Sequence, residues 1–196
     1  MVKTLDPISD LRSGTRDLHR SLEATQVFMR LMSDKVALDD YKRALLSLQI
    51  TYSNLEPRLI PALQKWAPDY PYIPRLPLLQ CDLVQLDIHD LPLCEADTGD
   101  VVDKASAMGA LYVIEGSTLG GKLLLRHLQS RLGPVISGAM AFYGLDGKLD
   151  SHNWAATQVI IHENLITPAS IDSALLSARQ IFSTFHKSAE SPHLWQ

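Results

Sequence analysis

The sequence predicts an all-α fold, read as one domain over residues 1–196, and three observations predict it. Apolar residues recur at alternating three- and four-residue steps along most of the chain, the period of a helix with one buried face. Nowhere is there sustained period-two alternation bounded by hairpin turns, so no strand is needed to explain the chain. No unit repeats at solenoid spacing, so the helices, about seven or eight of them, belong to one packed body.

The first helix starts at Asp6-Pro7, where Asp suits the N-cap and Pro the first turn, whose N–H groups lack intrahelical partners anyway. Ile8, Leu11, Thr15, Leu18 and Leu22 form its stripe, and it is expected to reach about Met32. A second helix begins near Asp39, carries Tyr41, Leu45, Leu48 and Tyr52 on one face and runs toward Leu55, after which Pro57 and Pro61 are expected to bend or restart it. Four prolines between Trp66 and Pro77 predict an extended surface connection. Arg75 to Leu86 reads as a short helix and Asp87 to Asp100 as another connection. Val101 to Glu115 is helical, with Val101, Ala105, Met108, Tyr112 and Glu115 in line. Helical character resumes from Lys122 to Leu132, and Gly133-Pro134 stops it. A turn-rich stretch then leads to helices over Trp154 to Leu165 and Pro168 to about Lys187, the last with Ile171, Leu175, Ala178, Phe182 and Phe185 on its stripe.

Composition narrows the function classes. With 46% hydrophobic and 20% charged residues the chain has an ordinary globular balance, and its length allows roughly 70% of the unfolded surface to be buried without a disulfide or a structural metal. Cys81 and Cys94 stand at neither CxxC nor zinc-ligand spacing and read as reduced thiols. A net charge of −4 gives no broad footprint for nucleic acid. No apolar run approaches the ~20 residues of a membrane span and the first residues lack a signal-peptide core, so a cytoplasmic location is expected.

The segment LYVIEGSTLGGKLLL places Gly116, Gly120 and Gly121 inside otherwise helical sequence. Each glycine costs about 1 kcal/mol relative to alanine there, so something must compensate. Gly116 and Gly120 share a helix face, and a face without Cβ atoms admits either a neighbouring helix or a flat ligand. A phosphate loop fits less well, because GSTLGGK lacks the GxxxxGK[ST] arrangement.

His19 borders the stripe of the first helix in line with Arg12, Thr15 or Arg16, and Glu23. It reads either as a packed imidazole or as a metal ligand whose second nitrogen is oriented by Glu23 one turn on. Arg12 and Arg16 lie about 10 and about 4.5 Å from it along the axis, which suits carboxylates on the rim of a macrocycle centred on the histidine, or simply a solvated charged face. A flat, metal-centred dicarboxylate between two helices would use this histidine and the glycine face with Ser117 together.

On LRSGTRDLHRSLE (11–23), YSNLEPRL (52–59), GALYVIEGSTLGGKLL (109–124) and Trp154 followed by Ala178-x-x-x-Phe182, the chain resembles the haem oxygenase family, specifically its bacterial, biliverdin-forming and phytochrome-associated branch. The resemblance implies haem as substrate and cofactor, with His19 as axial ligand. It also implies a kinked distal helix carrying Gly116, Ser117 and Gly120 on the catalytic side, and further haem contacts from Arg12, Arg16, Glu23, Tyr112, Gly121 and Phe182. Implied partners are O2, an electron donor such as a ferredoxin or flavin reductase, and a phytochrome that accepts biliverdin. The chain departs from animal-type members at Ser117, where they carry Asp, and at Gln158, where they carry a propionate-binding Arg. Lys122 and Arg126, with Arg12 and Arg16, are read as a basic rim for an acidic donor or as solvated surface. Other readings are a non-catalytic haem carrier and another enzyme of the same fold, although no Glu-x-x-His pair repeats as a di-iron site requires.

Overall fold

Asp6 opens the first helix by accepting the Ser9 amide at 3.0 Å, with Pro7 in the first turn, and α1 runs over Pro7–Glu23 in the computed structural model, which describes residues 5–89, 97–99, 101–145, 152–191 and 194. Ile8, Leu11 and Thr15 are buried, while Leu18 and Leu22 pack half-buried against the core. The helix does not continue to Met32. Thr25 is extended and its hydroxyl donates to the Leu22 carbonyl at 2.8 Å, a local bond that competes with helix propagation, and a separate α2 spans Gln26–Leu31. The break lets Val27 and Leu31 turn into the core.

The prolines of the next element do not divide it: α3 runs unbroken over Leu38–Trp66. Both Pro57 and Pro61 face solvent, where water can satisfy the carbonyls they leave unbonded, while Leu55, Leu59 and Leu63 on the opposite face are buried. Packing of that inner face outweighs the lost backbone bonds. The proline-rich connection that follows is irregular as expected, but it is not purely a surface feature. Ala67, Tyr70 and Arg75 are buried within it, because its polar groups find partners inside the protein.

The short α4, Leu76–Gln85, matches its expected position, and the buried Asp82 on it accepts the amides of Ala141 and Phe142 at 2.7 and 2.8 Å. Burial raises the Asp82 carboxyl above its ordinary value, with those two amides pulling the other way. The longest surprise is α5, Lys104–Leu132, which passes through all the glycines as one helix and starts three residues later than its periodicity suggests. Asp103 sets that start by accepting the Ser106 amide at 2.7 Å. Gly133, at φ +40°, ends it in a conformation that L side chains rarely adopt.

A 3₁₀ turn over Gly133–Ile136 and a short α6, Ala141–Gly144, occupy the turn-rich region. Two final helices, α7 over His152–Asn164 and α8 over Pro168–Ala189, complete the chain. Thr167 caps α8 by accepting the Ser170 amide at 3.1 Å. The described residues contain no strand, and none of their helices is long and apolar enough to cross a membrane. Helix α8 is the common neighbour of α1, α3 and α5, so its stripe of Ile171, Ala178, Phe182 and Phe185 holds the core together. Cys81 is an exposed free thiol; Cys94 lies outside the described residues.

Candidate functional site

Helices α1 and α5 both pack on α8, and between the end of α1 and the middle of α5 lies a cavity of about 1140 Å³. Its walls are largely apolar, built from Leu22, Phe28, Leu48, Val113, Leu124, Phe142, Phe182 and Phe185 among others, with a few polar groups set into them. That is the usual constitution of a small-molecule site. Of the residues singled out from sequence, the fold brings His19, Glu23, Gly116, Ser117, Gly120, Gly121 and Phe182 together on this one cavity.

His19 is more than half exposed, so it is not a buried core imidazole. Its Nδ1 lies 3.4 Å from Glu23 Oε2, and its ring meets Phe182 edge to face at 5.8 Å. Glu23 stands beside Nδ1 and Phe182 borders the ring, so Nε2 is the nitrogen these contacts leave to a ligand. Arg12 and Arg16 are exposed on α1 and do not line the cavity. Tyr112 does not line it either: its ring packs against Trp154 at 6.0 Å, because its position on α5 points toward α7. Gln158 sits on the outer side of α7 in a separate shallow depression with His162 and Glu163.

The glycines divide between the two explanations of a Cβ-free face. A Cβ at Gly120 would meet nothing within 4 Å, and one at Gly116 would make only ordinary contact with Trp154 at 3.6 Å. Among the described residues no helix packs against Gly120, so close packing does not account for it. Close packing is instead the property of Gly109, whose Cβ would fall 2.1 Å from the Ala174 carbonyl oxygen on α8. Beyond the glycines, α5 is tied to the turn after α2 by His127 Nε2, 3.1 Å from the Ser33 carbonyl, and by an ion pair between Arg131 and Asp34.

Sequence reasoning missed a buried polar cluster that reaches the cavity through Arg75 and Tyr52. Arg75 and Glu115, 2% and 1% exposed, form an ion pair with Nη2 and Oε1 2.9 Å apart. Arg75 Nη1 donates to the Ile73 carbonyl and the guanidinium lies over the Tyr72 ring at 4.9 Å. Burial pulls the guanidinium down, but Glu115 chiefly outweighs it and holds the group above its ordinary value. Glu56 accepts the Tyr72 hydroxyl at 2.7 Å and the amides of Arg75 and Leu76 at 2.6 and 2.9 Å, which satisfies it without a cation. Tyr52, buried beside them, is pushed above the ordinary phenol range by burial, with Arg75 acting in the opposite sense. Ser117 in turn donates to the Ile114 carbonyl at 2.7 Å, so its hydrogen is engaged by backbone. One signal in the sequence pointed here: Glu115 stands on an otherwise apolar stripe, and a buried carboxylate requires a partner.

The fold and site thus define an all-helical protein with a largely apolar cavity, lined by a histidine on one helix and a glycine face on another. Residues 7–191 match the family described as "Heme oxygenase". A "Heme oxygenase" of Xanthomonas campestris pv. campestris (strain 8004) is 32% identical over 115 residues, covering 59% of this chain and 67% of that protein. Among solved structures, heme oxygenase from Leptospira interrogans superposes with a TM-score of 0.75 at 17% identity, over 94% of this chain and 98% of its own. Heme oxygenase-1 from the cyanobacterium Synechocystis sp. PCC6803, solved in complex with heme, gives a TM-score of 0.77 at 18% identity, over 97% and 95% of the two chains. The chain belongs to the haem oxygenase family, and is accordingly an enzyme that oxidises haem.

Proposed function

We propose that the cavity between α1 and α5 holds haem, with His19 Nε2 as the axial ligand to its iron, and that the chain cleaves it to biliverdin with release of iron and CO. The observation that carries this reading is His19 itself: an imidazole on the wall of a largely apolar cavity of about 1140 Å³, with Glu23 beside Nδ1 and Phe182 against its ring. The residues fit such a group in a second way, because the face at Gly120 has no neighbour within 4 Å that a planar ring would have to displace. Among the described residues no three His, Cys, Asp or Glu side chains converge as a metal cage, so a single protein ligand suits an iron already held by a macrocycle.

Haem supplies the redox chemistry; the chain supplies ligation, orientation and exclusion of water. On this reading Gly116, Gly120 and Gly121 leave room for O2 on the α5 side, and Ser117 faces the same space as an acceptor, since its hydrogen is held by Ile114. Arg12 and Arg16, exposed on α1 before His19, are assigned to the propionate rim or to the donor surface through their long side chains. Electrons come from an external ferredoxin or flavin reductase, biliverdin passes to an acceptor of the phytochrome type, and the reaction takes place in the cytoplasm. The whole of residues 1–196 acts as one domain.

Replacing His19 by Ala tests the assignment. Because the side chain is more than half exposed, stability should change by no more than about 0.5 kcal/mol. The ferrous–CO spectrum should lose its histidine-ligated form and turnover should collapse. Wild-type spectra and turnover in the variant would remove His19 from the ligand role.

A further inference from the structure

The first turns of α1, α5 and α8 are capped by the residue directly before each helix, Asp6, Asp103 and Thr167. Helix α6 is built differently. Met140 precedes it and makes no side-chain cap, and four residues are too few for a helix to persist on its own hydrogen bonds. Its cap comes from 59 residues earlier in the chain: the two carboxylate oxygens of Asp82 on α4 accept the amides of Ala141 and Phe142, one each, at 2.7 and 2.8 Å. Asp82 is fully buried, and among the described residues no cation pairs with it. A buried carboxylate without a counter-charge is expensive, and the two amides aimed at it are what offset that cost. What the chain gains is a fixed place for α6. From α3, Tyr41 donates its hydroxyl to the Ala139 carbonyl at 2.7 Å, so the segment entering α6 is clasped from two helices.

Helix α6 forms one wall of the cavity. Phe142, Tyr143 and Leu145 line it, and the Phe142 ring meets Tyr52 edge to face at 5.7 Å and Tyr143 at 4.9 Å. The walls from α1, α3 and α5 belong to longer helices that all pack on α8, whereas α6 rests on α4 and α5. Two buried side chains thus hold the wall that is least able to hold itself, and a binding surface is only as well defined as the groups that support it.

We propose that Asp82 is a positioning residue for the ligand: through the Ala141 and Phe142 amides it sets the depth of the α6 wall, and that wall sets the orientation in which a flat ring is seated in the cavity. This rests on haem occupying the cavity as proposed above.

Asp82→Asn and Asp82→Leu test it in the full-length chain. Without haem, amide hydrogen exchange at Ala141 and Phe142 should speed up about tenfold with Asn, which keeps one acceptor, and further with Leu, which keeps none. With haem, the dissociation constant should rise about threefold to tenfold in the same order. The ratio of the two orientations of the asymmetric ring, read from the methyl resonances of the ferric cyanide complex, should shift, and the ratio of biliverdin isomers should shift with it. Asp103→Leu removes a cap of the same kind from the start of α5, which does not line the cavity, and should leave both ratios unchanged. If neither Asp82 variant folds, Tyr41→Phe loosens the same segment from α3 and should shift the same ratios; unshifted ratios there overturn the proposal. Unchanged exchange in a folded Asp82 variant overturns it as well. Faster exchange with unchanged affinity and orientation makes Asp82 a cap for the fold alone, and an equal shift in Asp103→Leu does the same. A wild-type chain that takes up no haem overturns the reading beneath, and the proposal with it, while the exchange measurement still reports whether Asp82 holds α6.

Discussion

Gly109 and Gly120 lie about three turns apart on α5 and do opposite things. In the first half of the helix, from Ala105 to Glu115, nearly every residue is buried, and Gly109 is glycine because the α8 backbone at Ala174 occupies the space a Cβ would need. In the second half the helix faces the cavity and solvent, and Gly120 is glycine where none of the described residues crowds it. The cost in helix propensity is the same, about 1 kcal/mol each, but in the first half it is compensated by close packing and at Gly120 by no contact among the described residues. An uncompensated local cost inside a long helix is the mark of a surface shaped for something other than the chain itself.

Gly109→Ala should give the largest change. The added Cβ would meet backbone rather than a flexible side chain, so α5 and α8 must separate, at a cost of about 3 kcal/mol read from the denaturant midpoint. A variant as stable as the parent would abolish the contrast between the two halves. The opposite sign is expected at Gly120: Ala there should raise stability by up to about 1 kcal/mol. Val should fold as well yet lose about tenfold or more in haem oxidation, because its branches enter the slot. Unchanged biliverdin yield would mean that the open face serves no ligand.

Further along the same exposed half, Arg126→Glu should slow reductase-driven turnover several-fold at low salt and leave ascorbate-driven turnover nearly unchanged, because a small reductant does not dock. Equal slowing with both would move Arg126 from the donor surface to haem binding or folding. The smallest effect belongs to the tie between α1 and α8. Arg179 holds the Asp17 carboxyl below its ordinary value of 3.8, so the stabilisation is present above that pH and is lost as pH falls through the lower folded value. Asp17→Asn should therefore be slightly less stable than the parent near neutrality and indistinguishable from it in acid.

His19, the glycine face and the core stripes were legible because each is a pattern within a few turns of one helix, and helical spacing converts sequence distance directly into a shared face. Arg75 was not legible as part of the site. It lies in a proline-rich connection that reads as surface, forty residues before the carboxylate it pairs with, counting from 75 to 115. Glu115 was placed on the buried line of its helix, but its partner was not inferred. Tyr112, a haem contact implied by the resemblance alone, does not line the cavity; its ring packs against Trp154.

By itself the sequence determined the all-helical architecture, the starts of α1 and α8 through Asp6-Pro7 and Thr167-Pro168, and the residue types that line the cavity. All of these depend on hydrogen bonds and periodicity within a turn or two. Only the tertiary structure decided that α1 stops at Glu23 while α3 runs on through Pro57 and Pro61, which glycine packs and which stays open, and which buried charges meet. In each of these the local preference was weak or contrary. Burial against a neighbouring helix, a contribution that exists only once distant segments are packed together, outweighed it.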